Sequence, residues 1–273
     1  MYDEIYQNFQ LNWDVIKASR QGVSHKKNND TPCQDYVRYK LLPTGILILA
    51  IADGAGTAER SLDGAKLGVS QSLRFIEKKL KDYKSQDAFH VESILRDAFT
   101  HGQKHIFDYA NSERIPHRLF STTLSIAICF PGWLCAGQIG DGAIVIEELD
   151  GTYHSIINPH KGEYVNETIF LNSEGSLDRI GFCMWKKPIK SIALLTDGLI
   201  RLALHTADNR PEVNFFNPWF KYLTMQKNTK IATQKLEQFL ESDRVCSRTD
   251  DDKSIVFATV SYNSLLLPEK ICG

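Results

Sequence analysis

The sequence predicts an α+β fold built in layers, with helices packed on sheets and no alternation of strand and helix. Three observations predict it. Apolar runs of strand length come first, two long amphipathic patterns follow, and a second group of β-branched runs leads to one more helix and a closing strand. The 273 residues allow one large domain or two small ones. No internal repeat, low-complexity tract or linker interrupts them, so residues 1–273 read as a single domain with its core over about 13–262.

Residues 1–12 are polar and aromatic without a pattern, and read as a short helix or an arm. Trp13–Ser19 reads as the first strand, and Gln21–Asp30 as a loop by composition. Gln34–Lys40 is β-prone, and Pro43-Thr44-Gly45 turns the chain into the apolar run Leu47–Ala52, making a hairpin. Ala65, Val69, Leu73, Ile76, Leu80 and Tyr83 recur at helical spacing. Val91, Ile94, Leu95, Ala98, Gly102, Ile106 and Tyr109 do the same. Each helix should cover one face of a sheet. Ser121 to about Ile157, broken by Pro131-Gly132 and Asp150-Gly151, predicts a meander of three or four antiparallel strands. Residues 158–190 are the least periodic. A strand is expected at 191–196, loop with a short helix near Pro218–Met225 over 199–228, a helix through Ile231–Leu240, and a last strand at Ser254–Tyr262 before a tail.

Bulk properties remove several classes. A net charge of −1 and a pI of about 6.7 leave no electrostatic footprint for nucleic acid or an anionic membrane. No apolar run approaches the roughly 18 residues of a membrane span. The acidic Met-Tyr-Asp-Glu start lacks a signal-peptide pattern. Six scattered cysteines with no C-x-x-C pair fit reduced thiols, several of them in apolar strands. A cytoplasmic protein is expected.

The chemistry lies at strand ends. Asp53-Gly54-Ala55-Gly56 follows Leu47–Ala52, Gly140-Asp141-Gly142 follows Trp133–Ile139, and Thr196-Asp197-Gly198 follows Ile192–Leu195. Asp250-Asp251-Asp252 precedes Ile255–Ala258. One Asp-Gly behind a strand is the ordinary hairpin signal. Asp150-Gly151, behind Glu147-Glu148-Leu149 instead of a buried run, is such a turn. Three instances behind buried strands, with an acidic cluster before a fourth, point elsewhere. In an antiparallel sheet the end of one strand lies beside the start of its neighbour, so Asp53, Asp141, Asp197 and Asp251 can meet at one edge. Carboxylates without clustered Cys or His favour Mg²⁺ or Mn²⁺. Two such ions can clamp a phosphoryl group for in-line displacement.

These motifs, together with Ser121-Thr122-Thr123, Leu195–Leu199 and Asp251-Asp252-Lys253-Ser254, occur in an order that resembles the metal-dependent Ser/Thr protein phosphatases of the protein phosphatase 2C type. Cys33-Gln34-Asp35 is similar to an element of a bacterial branch often encoded near a kinase and a von Willebrand A-type protein. The resemblance covers roughly residues 13–262. It implies a four-layer α-β-β-α sandwich of two antiparallel sheets flanked by helices, with a two-ion Mg²⁺ or Mn²⁺ site at one end. On that pattern Asp53 bridges both ions and the Gly54 carbonyl helps hold the second. Asp197 and Asp251 ligate the first, and Asp141 with Asp197 forms a place for a third. Asp35 organises metal-bound water, Thr123 lies on a strand lining the site, and Asp252 stands where the family usually has Asn.

The chain departs from the pattern at several points. Ala55 stands where a His is common, and Gln34 replaces Glu. The phosphate-gripping Arg has no counterpart, since Asp30 and Thr31 occupy the local positions. His25, Lys26 or Lys27 could neutralise phosphate instead, His25 being the catalytic candidate and otherwise a solvated loop residue. His154 and His160 lie in a stretch that could reach the site. Phe215, Phe216, Trp219 and Phe220 read as core at helical spacing, with a partner-binding patch as the alternative. The expected function is hydrolysis of phosphoserine or phosphothreonine in proteins by in-line attack of metal-bound hydroxide. The expected partners are a phosphorylated protein, a Ser/Thr kinase and a von Willebrand A-type protein, without nucleic acid or membrane. The alternatives are a pseudophosphatase that binds a phosphoprotein or kinase without turnover, and a phosphohydrolase of small molecules.

Overall fold

The computed structural model describes residues 12–27, 31–81, 88–157, 168–205, 207–226 and 228–261. Its strands are β1 (Trp13–Arg20), β2 (Tyr36–Leu41), β3 (Leu47–Ala52), β4 (Leu124–Phe130), β5 (Trp133–Ile139), β6 (Ala143–Glu148), β7 (Tyr153–Ser155), β8 (Gly181–Trp185), β9 (Ile189–Leu195) and β10 (Lys253–Val260). They form two five-stranded sheets, ordered β1-β10-β9-β6-β7 and β2-β3-β4-β5-β8. Every pairing is antiparallel.

Period-two alternation sorts the strand residues between layers. Leu47, Leu49 and Ile51 of β3 face Leu194, Val256 and Ala258 of the other sheet, in the core between the sheets. Ile48, Ala50 and Ala52 turn outward to α2 (Ser61–Leu80) and α3 (Ala88–Glu113), meeting Val69, Ile76, Leu95 and Phe99. On the opposite side, Ile255 and Phe257 of β10 meet α5 (Val213–Met225) and α6 (Thr229–Leu240) through Phe216, Phe220 and Leu236. Central strands such as β3 and β4 are buried along their whole length because both of their faces are covered. Four layers result.

Several expectations change. The section from Ser121 to Ile157 is not one meander: the β4–β5 hairpin belongs to one sheet and β6–β7 to the other. The chain crosses between sheets at Gly140–Gly142. Gly140 adopts φ 112°, and a methyl group there would lie 2.5 Å from Thr123 Cγ2, so both conformation and contact require glycine. Within the expected loop at 21–30, Val23–Lys27 forms one turn of helix, α1. The Ser24 N–H donates to the Asp250 carbonyl at 2.9 Å, tying that turn to the far end of the chain. Helix α5 starts at Val213, five residues before Pro218, with Glu212 accepting from the Asn214 N–H. Proline is tolerated there because Phe215, Phe216 and Phe220 are buried and hold the helix on the sheet. The core reading therefore holds for those three aromatics. Strand β9 begins at Ile189, two residues earlier than expected. Residues 1–11 of the N-terminal arm, Asp30, Tyr83, His160, Tyr262 and the tail from Leu265 lie outside the described residues.

Candidate metal and phosphate site

Antiparallel register brings the acids together. Tyr36 pairs with Ala52, Ile51 with Ser125 and Ser125 with Gln138, so the residues flanking them share one sheet edge: Asp35, Asp53, Thr123 and the Gly140–Gly142 crossing. In the other sheet Leu195 pairs with both Ala143 and Ile255, and Ser19 with Ser254, which brings Asp197, Asp141, Asp251 and the end of β1 to the same end. The two sheet edges face each other across this opening.

Carboxylate oxygens of Asp53, Asp141 and Asp197 lie within 4.8 Å of one another. Hydrogen bonds fix two of these acids. The Thr123 hydroxyl accepts from the Asp53 N–H at 2.9 Å, while the Thr123 N–H and Thr122 hydroxyl donate to the Asp53 carbonyl at 2.8 and 2.9 Å. The Thr168 hydroxyl donates to Asp141 Oδ2 at 2.7 Å, leaving Asp141 Oδ1 buried with no hydrogen-bond partner among the described residues. Gly54, a further expected contributor, is locked into a bridge with Thr122 next to the cluster. Asp251 is exposed and outside the group of three, yet its charge is felt by Asp53 and Asp197.

Crowding shows in the acidities. Burial, then the charges of Asp35, Asp197, Asp251 and Asp141, push the Asp53 carboxyl well above its ordinary range. Burial and the charges of Asp141 and Asp251 raise Asp197 to about 6. Burial, then Asp252, raise Asp35 to about 8, although the Thr196 hydroxyl donates to its Oδ2 at 2.9 Å. Like charges this close cannot all ionise without a compensating cation. An all-oxygen donor set, two buried oxygens (Asp35 Oδ1 and Asp141 Oδ1) with no close hydrogen-bond partner among the described residues, and mutual repulsion fit a hard divalent cation.

His25 sits on α1 beside this cluster. Its Nδ1 lies 3.0 Å from Asp252 Oδ1. A carboxylate only accepts, so Nδ1 carries the hydrogen and Nε2 points the other way. A methyl placed on Gly56 would lie 3.9 Å from that Nε2. The imidazole therefore faces the Asp53–Gly56 turn, beside the position that Ala55 leaves without a functional side chain. Asp252 is the residue that sequence reasoning underrated. It is 3% exposed and also accepts from the Gly22 and Gln34 N–H groups, both at 2.6 Å. Thr168 and Thr196 are partners of Asp141 and Asp35 that sequence reasoning does not assign; Thr196 stands in the Thr196-Asp197-Gly198 motif, whereas nothing around Thr168 signals its role. Lys26 is exposed. His154 is at the far edge on β7, 2.9 Å from a Glu148 carboxylate oxygen, away from the cluster.

An oxygen-only acid cluster at one end of a four-layer α-β-β-α sandwich is an arrangement that could hold divalent cations. The sequence model of the family "Protein phosphatase 2C" matches residues 21–241. The chain is 30% identical over 256 residues to Serine/threonine-protein phosphatase 3 of Escherichia coli (strain K12), covering 91% of this chain and 98% of that protein. It belongs to the protein phosphatase 2C family. Among solved structures, Serine/threonine phosphatase Stp1 from Staphylococcus aureus superposes with a TM-score of 0.63 at 12% identity, covering 92% of this chain and 96% of that one. The catalytic domain of the serine/threonine protein phosphatase PstP, in complex with 2 manganese ions, does so with a TM-score of 0.59 at 16% identity, covering 92% and 99%.

Proposed function

We propose that this chain is a Mg²⁺- or Mn²⁺-dependent phosphatase that hydrolyses phosphoserine and phosphothreonine in proteins. The observation that carries this is the convergence of Asp53, Asp141 and Asp197 oxygens within 4.8 Å, in a member of this family. The three carboxylates would hold the ions, with Asp251 and the Gly54 carbonyl completing the set and Asp35 orienting water beside it. When bound, the cations supply Lewis-acid polarisation of the phosphoryl group and charge to offset its oxygens. His25, its Nδ1 hydrogen committed to Asp252, presents Nε2 toward the Asp53–Gly56 turn. In its imidazolium form, protonated on both nitrogens, it gives the Nε2 proton to the departing serine or threonine oxygen and is left neutral with Nδ1–H still on Asp252. The pseudophosphatase alternative is not favoured, because the acid cluster is assembled and His25 stands beside the place of the missing His.

Among the described residues no helix is long and apolar enough to cross a membrane. The same proposal places the protein in the cytoplasm, opposite a Ser/Thr kinase and working with a von Willebrand A-type protein. Recovery of both with the tagged chain from its own cells would support that arrangement. The catalytic reading is tested by assaying a phosphothreonine peptide and a nitrophenyl phosphate ester with Mn²⁺ and with EDTA. Phosphate release from the peptide that requires the metal is expected. No turnover of either substrate would overturn the reading, and turnover of the ester alone would shift it to small molecules.

A further inference from the structure

The outer helical layer over the β1-β10-β9-β6-β7 sheet holds a second feature that the phosphate site does not use. A groove of about 630 Å³ opens between α4 (Ile200–Ala203), α5, α6 and α7 (Asp243–Cys246). Its floor is apolar, with Phe215 buried and Trp219 and Phe239 half-buried, the indole 5.4 Å from the Phe239 ring. Its rim is basic. Arg201, Arg244 and Arg248 are exposed there, and none has an ion-pair partner among the described residues, unlike Arg20, Arg60, Arg96 and Arg210. The other charged residues lining the groove are His205 and Glu212, which lie 3.1 Å apart and face each other.

The groove adjoins the aspartate cluster along the chain. Arg201 lies one turn beyond Asp197, roughly 6–8 Å of helical rise. Arg248 precedes Asp251 by three residues, at most about 11 Å of extended chain. A peptide held at the cluster would reach the rim within about three or four residues at about 3.3 Å each. Unpaired guanidinium groups around an aromatic floor complement carboxylates flanking one large apolar side chain.

We propose that this groove is a substrate-docking site, taking an acidic segment with a bulky apolar side chain that lies a few residues from the phosphorylated serine or threonine. The identity of the occupant as substrate rests on the phosphatase reading; the chemistry of the groove does not. It recognises sequence around the phosphate, a task that the aspartate cluster, facing only the phosphoryl group, leaves open.

The test uses the full chain and two labelled, unphosphorylated peptides read by fluorescence anisotropy. One carries four Glu and Asp residues around a Phe, and the other carries Gln and Asn in their place. The acidic peptide should bind about tenfold more tightly, as three exposed charge contacts allow. That preference should vanish in the Arg244→Glu/Arg248→Glu variant and in 1 M salt, where the Debye length is about 3 Å. With a phosphothreonine added to each peptide, the same variant should raise KM for the acidic one and leave ester hydrolysis within a factor of about two. Equal binding of the two peptides, or a preference unchanged by the charge reversal, would overturn the proposal. So would displacement of the acidic peptide by a nucleotide at equal concentration, which assigns the groove to a small ligand. Because the peptide comparison needs no variant and no turnover, an inactive wild type that retained the preference would sink the catalytic reading while supporting the groove.

Discussion

Replacing Asp53 by Asn should abolish the function and yet stabilise the protein in EDTA. Two charges 4.8 Å apart repel by about 3.5 kcal/mol at an effective dielectric constant of about 20, and Asp53, Asp141 and Asp197 all lie within that separation. The cluster limits this repulsion by binding protons. Asp197 is raised from 3.8 to about 6, Asp35 to about 8, and Asp53 well upward. A carboxyl whose folded pKa exceeds its unfolded one favours the folded state at low pH, and that stability is lost as pH rises through the folded value. Wild type in EDTA should therefore lose stability between about pH 4 and 8. Asp197 alone contributes about 3 kcal/mol of that loss, at about 1.4 kcal/mol per unit. Asp53→Asn removes one charge from the group of three and should recover about one pair's repulsion, about 3 kcal/mol, at pH 8. For a chain of this size that is a Tm higher by roughly 5 °C. Below about pH 4 the two proteins should converge. Differential scanning calorimetry across pH 4–8, repeated with excess Mn²⁺, measures both effects. Mn²⁺ should raise the Tm of wild type by mass action and that of the variant much less. A flat wild-type Tm from pH 5 to 8 in EDTA, or a variant no more stable than wild type at pH 8, would refute the reasoning.

Three further perturbations are informative. Asp252→Asn keeps one acceptor oxygen where three N–H donors now converge on two, so it should cost about 2–4 kcal/mol in urea denaturation. His25→Ala should lower kcat for a phosphothreonine peptide by about a hundredfold. It should spare the nitrophenyl ester, whose leaving group departs without a proton, and equal losses on both substrates would remove His25 as the acid. Gly198→Ala would drive a methyl into the Asp252 carbonyl oxygen, backbone against backbone. About 3 kcal/mol of destabilisation is expected, as for an overpacked core, and an unchanged denaturation midpoint would show that the Asp251–Asp252 segment yields freely.

Much of this arrangement is local and so legible in sequence. Leu47–Ala52 announces a covered strand because both faces are apolar, and Asp53 follows it with glycines on the turn. The helices at Ser61–Leu80 and Thr229–Leu240 are written in their three- and four-residue spacing. Less legible is what depends on long-range partition. Whether β5 and β6 share a sheet is decided at Gly140, where the Thr123 side chain blocks any Cβ, and no periodicity encodes that contact. Pro218 reads as a helix start because proline favours the first turn; the buried Phe215 and Phe216, packed against the sheet, extend the helix past it. Asp252 is masked by its neighbours in an acidic triplet. Only the fold separates the buried Asp252, which orients His25, from the exposed Asp251.

The central claim is that the Asp53–Asp141–Asp197 cluster is where phosphate is released. Phosphate liberated from a phosphothreonine peptide in saturating Mn²⁺, compared between wild type and Asp197→Asn, tests it most directly. The variant should lose at least about a hundredfold in kcat/KM, with unchanged circular dichroism and with the remaining rate no longer responsive to Mn²⁺. A variant that keeps wild-type turnover and metal response would place the chemistry elsewhere and contradict the account.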